Sequence, residues 1–377
     1  MRFSQIHGYE KIKQSLVGMA DSGRVAHAML LYENDGCGAF ALAWAYAQYL
    51  SCENPSNGDS CGKCPSCNRM SKLIHPDLHL IFPTNSGSKS GKTAAKDITS
   101  AFYMEYFREL ARENPYFLEP QLMETLGLES KSWDVNVAQA KELSHVLSLS
   151  SMEKGWKTVI FYLPENLNIQ AANKLLKLVE EPPEMTLFLF ITHHPQRVLQ
   201  TIFSRCQSLR LPPLSESKLS EALSERGYTA EAVQESVRQS AGSMGVALSH
   251  LENQADDELY FQWFTQLLQA LLKKDLLEAL SIGEQIAEQP SREKQKAFCI
   301  FASDMLRKIF LMQRGMADLS YTSAARMSLC QTLSSQVSRN FSTRMLPVLD
   351  KLVYYMDRNV NRKILFTDLI NRMSINI

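Results

Sequence analysis

The run from Thr186 to Thr192, Thr-Leu-Phe-Leu-Phe-Ile-Thr, has only apolar residues between its two threonines. A strand with one wet face alternates polar and apolar residues. A continuous run instead belongs to a strand covered on both faces, as in a parallel sheet flanked by helices. Two more runs of this kind, Ala28–Tyr32 and Thr158–Leu163, each lead through a Gly- or Pro-containing turn into a helical stretch. Ala39–Leu50 has helical composition. Ala172, Leu175, Leu176 and Val179 fall at i, i+3, i+4 and i+7, so they share one helix face until Pro182 and Pro183 stop it. Strands alternating with helices to about residue 210 predict an α/β domain over 1–212.

Past Pro212 and Pro213 the strand signals cease. The pattern there predicts a small helical module over 213–255 and a larger all-α domain over 256–377. A chain of 377 residues with 45% hydrophobic composition can supply the two or three cores this requires. A polar stretch, Thr84–Lys96, and an aromatic-rich one, Tyr103–Phe117, interrupt the first domain as an insertion of about 84–130. No function follows for it from composition.

Forty basic and forty acidic residues leave no net field to draw the chain onto nucleic acid or anionic lipid. Any DNA contact is expected to be local and shared with partners. The apolar runs are far short of a membrane span, which predicts a cytoplasmic protein with no membrane partner.

Four of the eight cysteines crowd into Cys52, Cys61, Cys64 and Cys67, whereas Cys37, Cys206, Cys299 and Cys330 are scattered through apolar segments. Two overlapping C-x-x-C steps, one further Cys, and Pro55, Gly58, Gly62 and Pro65 for the turns form a metal-ligand pattern rather than a disulfide framework. Four thiolates close a tetrahedral shell, so the expected ion is a structural Zn²⁺. Spacing alone also admits another thiophilic ion, free thiols, or His75 and His79 as substitute ligands. A redox C-x-x-C is disfavoured, because the other two cysteines would compete for the disulfide.

After the first strand, a phosphate-binding loop would read G-x-x-x-x-G-K-[ST]. This chain has Glu33, Asn34, Asp35, Gly36, Cys37, Gly38, Ala39 and Phe40. Glu33 replaces the first Gly, Ala39 the Lys that holds phosphates, and Phe40 the hydroxyl that holds Mg²⁺. Tyr162 and Leu163 stand where two carboxylates would end the second strand, and Glu165 lies beyond Pro164. Neither ATP binding nor hydrolysis is expected here. Gly87–Thr93 imitates the motif, but has three residues between its glycines instead of four.

Ala171–Pro183, Ala-Ala-Asn-Lys-Leu-Leu-Lys-Leu-Val-Glu-Glu-Pro-Pro, closely resembles the signature helix of clamp-loader AAA+ subunits. Ser204-Arg205-Cys206 resembles their S-R-C motif. The four-Cys module after the first helix and His27 before the first strand also match bacterial members, so the resemblance covers roughly residues 1–250. It implies an AAA+ domain, a helical lid over 213–255 and a helical collar for oligomerisation over 256–377. It also makes Arg205 an arginine finger that reaches a neighbour's ATP site. Implied partners are gamma/tau and delta clamp-loader subunits and, through the complex, the sliding clamp and primer-template DNA. Asn173, Lys174 and Lys177 would lie on a solvated or partner-facing side of the signature helix. Where active members carry a phosphate-sensing Arg, Gly242-Ser243-Met244 is followed by Gly245. An intact S-R-C beside altered ATP loops resembles the family's non-hydrolysing members. The alternatives are an ATP-hydrolysing gamma/tau-type subunit and a zinc-dependent DNA-binding module, the latter without a basic stripe near the cysteines to support it.

Overall fold

The computed structural model describes residues 1–85, 98–128, 133–149, 151, 155–252, 254–289, 292–316, 324–358 and 360–377. The Gly87–Thr93 imitation and parts of the 84–130 insertion lie outside them. The chain divides into two compact units, Met1–Leu248 and Ser249–Ile377.

The first unit runs α1 (Glu10–Asp21), β1 (Ala28–Tyr32), α2 (Ala39–Leu50), α3 (Pro65–Met70), β2 (Leu78–Ile81), α4 (Met104–Glu113), α5 (Glu119–Thr125) and α6 (Val137–Ser148). It continues with β3 (Lys157–Tyr162), α7 (Ile169–Glu180), β4 (Thr186–Thr192), α8 (Gln200–Phe203), β5 (Gln207–Arg210), α9 (Glu216–Glu225) and α10 (Ala230–Gln239). Helix α11 (Met244–Glu252) follows and crosses the boundary between the units.

The five strands form one parallel sheet in the order β2-β3-β4-β1-β5. Strands β3 and β4 are buried along their whole length, as their unbroken apolar runs require. One face carries Leu30, Phe161, Phe188 and Phe190 against Leu143 of α6 and Ala172, Leu175 and Val179 of α7. Helix α2 is apolar all round and accordingly buried through all but its last residue. In α7, Asn168 caps the first turn by accepting from the N–H groups of Gln170 and Ala171, and the helix ends at Glu180, before Pro182.

Two strands carry no apolar run that would have announced them. β2 and β5 are the sheet edges, so each needs only partial cover, and β5 reads Gln-Ser-Leu-Arg with mostly exposed residues. The insertion leaves and returns through one antiparallel bridge, with Thr84 and Asp134 exchanging N–H···O bonds of 2.9 Å each. Most of its described aromatic residues turn inward, whereas Phe102 and Tyr106 are exposed. Phe107 stacks on Phe82 with ring centroids 4.4 Å apart, and Phe107, Tyr116, Phe117 and Leu122 are all buried.

Helices α9 and α10 and the start of α11 close the first unit. Gly242 precedes α11 at φ +83°, where a Cβ would lie 2.5 Å from the Leu214 carbonyl oxygen, so only glycine fits this turn.

The second unit is helical throughout its described residues: α12 (Gln254–Leu272), α13 (Leu276–Ala287), α14 (Arg292–Gln313), α15 (Ala324–Gln336), α16 (Phe341–Asp357) and α17 (Arg362–Asn376). Its core gathers Phe264, Phe298, Phe341 and Phe366 with Leu268, Met305 and Ile370. An α/β unit with a parallel sheet followed by an all-helical region is the fold class expected from the sequence. No described helix is long and apolar enough to cross a membrane.

Candidate functional site

The four cysteine sulfurs converge. The Sγ atoms of Cys52, Cys61, Cys64 and Cys67 all lie within 4.8 Å of one another. Backbone N–H groups aim at them in series: Cys61 N–H donates to Cys52 Sγ (3.2 Å), Cys64 N–H to Cys61 Sγ (3.4 Å) and Cys67 N–H to Cys64 Sγ (3.3 Å). Such bonds favour the thiolate. Donation from the Lys63 and Cys64 N–H groups holds the Cys61 thiol below its ordinary range. Left-handed residues at Asn57, Gly58 and Gly62 make the turns, and Pro65 opens α3 with Cys64 as its cap. Four soft donors, three of them accepting such N–H bonds, can bind a metal ion. His75 is committed elsewhere: Nε2 lies 3.1 Å from Ser66 Oγ, and Nδ1 accepts from Asp77 N–H. His79 is also outside the converging set.

The module is moored on two sides. Asp59 accepts from the Phe3 and Ser4 N–H groups at 3.0 and 2.9 Å, and Trp44 Nε1 of α2 donates to the Met70 carbonyl at 2.8 Å.

The loop between β1 and α2 holds Glu33, Gly36, Gly38, Ala39 and Phe40 together. Its turn presents backbone N–H groups at the α2 N-terminus, a geometry that ordinarily attracts an anion. Here the chain's own Glu33 fills it: Oε2 accepts from Ala39 N–H at 2.6 Å. Burial pushes the Glu33 carboxyl up to about 8. Hydrogen bonds from Ala39 and Gly38 oppose that rise, and Asp35 adds to it. Phe40 packs on Phe107 and Phe117 at 5.5 and 5.2 Å, so this position faces a hydrophobic cluster.

The second-strand residues join the same surroundings. Tyr162 packs on Phe117 at 5.3 Å, and its hydroxyl lies 3.0 Å from His193 Nε2, which is 3.2 Å from Asp35 Oδ1. Burial lowers the pKa of His193, against the pull of Asp35. Both Glu165 carboxylate oxygens are buried without a hydrogen-bond partner among the described residues. Burial, then Asp35 and Glu165, pushes the Glu119 carboxyl up to about 7. Beside the loop opens a cleft of about 400 Å³, lined by Asn34, Asp35, Glu119, Met123, His193 and His194. Sequence reading missed His193 and the Tyr116–Glu119 segment. The aromatic density of the insertion was the available signal, but it does not say which loop those rings cover.

Arg205 follows the short helix α8. Its Nη1 donates to the Thr201 carbonyl at 2.7 Å, and its Nη2 pairs with Glu180 at the end of α7. The side chain remains about a third exposed. On α7, Asn173, Lys174 and Lys177 are all exposed, opposite the face that packs on the sheet.

The model of the family described as "DNA polymerase III, delta subunit" matches residues 8–215, a span that holds the cysteine module, the glycine loop, α7 and Arg205. The chain belongs to that family. Among relatives, the chain is similar to DNA polymerase III subunit delta' of Escherichia coli K12, 31% identical over 237 residues that cover 63% of this chain and 58% of that protein. It is also similar to subunit delta' of Pseudomonas aeruginosa, 32% identical over 222 residues that cover 58% and 53%. The chain therefore spans a little over half the length of these delta' relatives. Among solved structures it is similar to a DNA polymerase III gamma subunit-related protein of Thermotoga maritima, with a TM-score of 0.45 and 14% identity over 97% of this chain and 99% of that one. The matched span holds all five strands of the parallel sheet.

Proposed function

We propose that the chain is a noncatalytic delta-prime subunit of the DNA polymerase III clamp loader. It assembles with gamma/tau and delta subunits in the cytoplasm and supports ATP-dependent loading of the sliding clamp onto primed DNA. The observation that carries this reading is the state of the loop: Glu33 takes the Ala39 N–H that a phosphate would use, and Phe40 is turned into an aromatic cluster. A loop arranged in this way offers a triphosphate neither a lysine nor a free nest.

In this proposal Arg205 acts on the ATP site of a neighbouring subunit, stabilising charge on the transferring phosphoryl group. Its ion pair with Glu180 is partly exposed and therefore weak, so a neighbour's phosphates can outcompete it. The four cysteines hold a structural Zn²⁺ that keeps the 52–67 module folded.

The test is DNA-stimulated ATPase of the reconstituted complex, beside that of the isolated chain. The isolated chain should be silent. The complex with Arg205→Ala should lose activity on the order of a thousandfold at the affected site. An active isolated chain would instead favour a gamma/tau-type ATPase, and an unaffected mutant complex would remove Arg205 from catalysis.

A further inference from the structure

Three pieces of the first unit meet at the glycine loop: the loop itself, the start of α11, and the insertion segment Tyr116–Glu119. The loop and α11 touch directly. Gly245 N–H donates to the Gly36 carbonyl at 2.9 Å, and Ser243 Oγ donates to the Asp35 carbonyl at 2.7 Å.

The insertion segment sits against both. A Cβ on Gly36 would lie 2.6 Å from Leu118 Cδ2, and one on Gly38 would lie 2.9 Å from the Tyr116 ring. A Cβ on Gly245 would lie 2.1 Å from the Tyr116 carbonyl oxygen and 3.0 Å from Leu118 Cδ2. Glu119 N–H donates to Asp35 Oδ2 at 2.9 Å. On the lid side, the Arg226 guanidinium at the end of α9 lies 5.7 Å from the Tyr116 ring centroid.

Loop, helix and insertion are therefore in mutual contact, with glycines at 36, 38 and 245 where a side chain would collide. A phosphate chain has no room between them. The remaining cleft lies to one side and is lined by Asp35 and Glu119. Where a nucleotide is bound between a loop and a helical lid, the ligand's contacts hold the two parts in one arrangement. Here protein atoms make those contacts.

We propose that Tyr116–Glu119 is a built-in occupant of the loop–lid junction that holds α11 against the glycine loop without any nucleotide. This rests on the reading of Glu33–Phe40 as a lost nucleotide loop. The insertion is thus a strut that gives this subunit a fixed lid, while Phe107 and Phe117 tie it to Phe40 and Phe82.

Hydrogen exchange on the full chain, with and without ATP, tests it in wild type, Leu118→Ala and Gly245→Ala. Leu118→Ala trims the contact with Gly36 and Gly245. Gly245→Ala drives a methyl group into the Tyr116 carbonyl, and the amides of β4 report whether the sheet stays folded. The Gly245 and Val246 amides should exchange about tenfold faster in the variants, β4 should keep its protection, and ATP should leave the wild type unchanged. If Gly245→Ala also opens β4, Leu118→Ala decides alone. Unchanged lid exchange in an ATP-blind protein would overturn the strut and leave the lost-loop reading standing. Slowing of wild-type lid exchange by ATP would overturn both.

Discussion

Glu33 is a buried carboxyl group in the loop between β1 and α2, and its environment makes stability pH-dependent. Its ordinary value is 4.5, and burial raises it to about 8. Between those values the folded chain retains a proton that the unfolded chain releases, so stability falls as pH rises through the window. The contribution is complete below about pH 4.5 and lost above about 8. Glu119, raised to about 7, acts with the same sign. Glu33→Gln keeps an acceptor for Ala39 N–H and removes the titration. Its melting temperature should fall less than that of the wild type between pH 5 and pH 8. Equal slopes for the two proteins would show that Glu33 does not titrate in this way. Arg205 presents a different residue-level case: Ser-Arg-Cys was legible in the sequence, but the Glu180 partner was not, because it comes from another helix.

At the scale of elements, the cysteine module is a local device whose ligands lie within residues 52–67. It is tied to its surroundings by the Asp59 bonds to the N-terminal turn and the Trp44–Met70 bond. Removal of metal by a chelator should therefore unfold this module and leave the parallel sheet intact. Circular dichroism should lose a small part of its helical signal, and the β3 and β4 amides should keep their protection from exchange. Collapse of the entire signal would show that the module underpins the sheet. The insertion behaves oppositely. Phe107, Phe117 and Leu122 are buried among residues from other elements, so its described part is integral to the first unit rather than appended to it.

For the whole molecule, two compact units divide the work that the proposed function requires. The helical unit Ser249–Ile377 has its own core around Phe264, Phe298 and Phe366. If it is the collar, a chain ending at Leu248 should fail to enter the reconstituted complex by size-exclusion chromatography, and its incorporation would refute that role. The sequence by itself determined the central strands β1, β3 and β4, the helices α2 and α7, the convergence-prone cysteines and the Ser-Arg-Cys turn. The Ser-Arg-Cys turn rests on the family resemblance, and the others on local chemistry: an unbroken apolar run, helical composition or period, or close ligand spacing. Only the tertiary structure decided the edge strands, whose partial cover leaves little apolar signal, and the partner of Arg205. It alone also brought Tyr116–Glu119 onto a loop about eighty residues away in sequence. Glycines at 36, 38 and 245 permit that approach, but a glycine records only that space is needed, never which distant segment fills it.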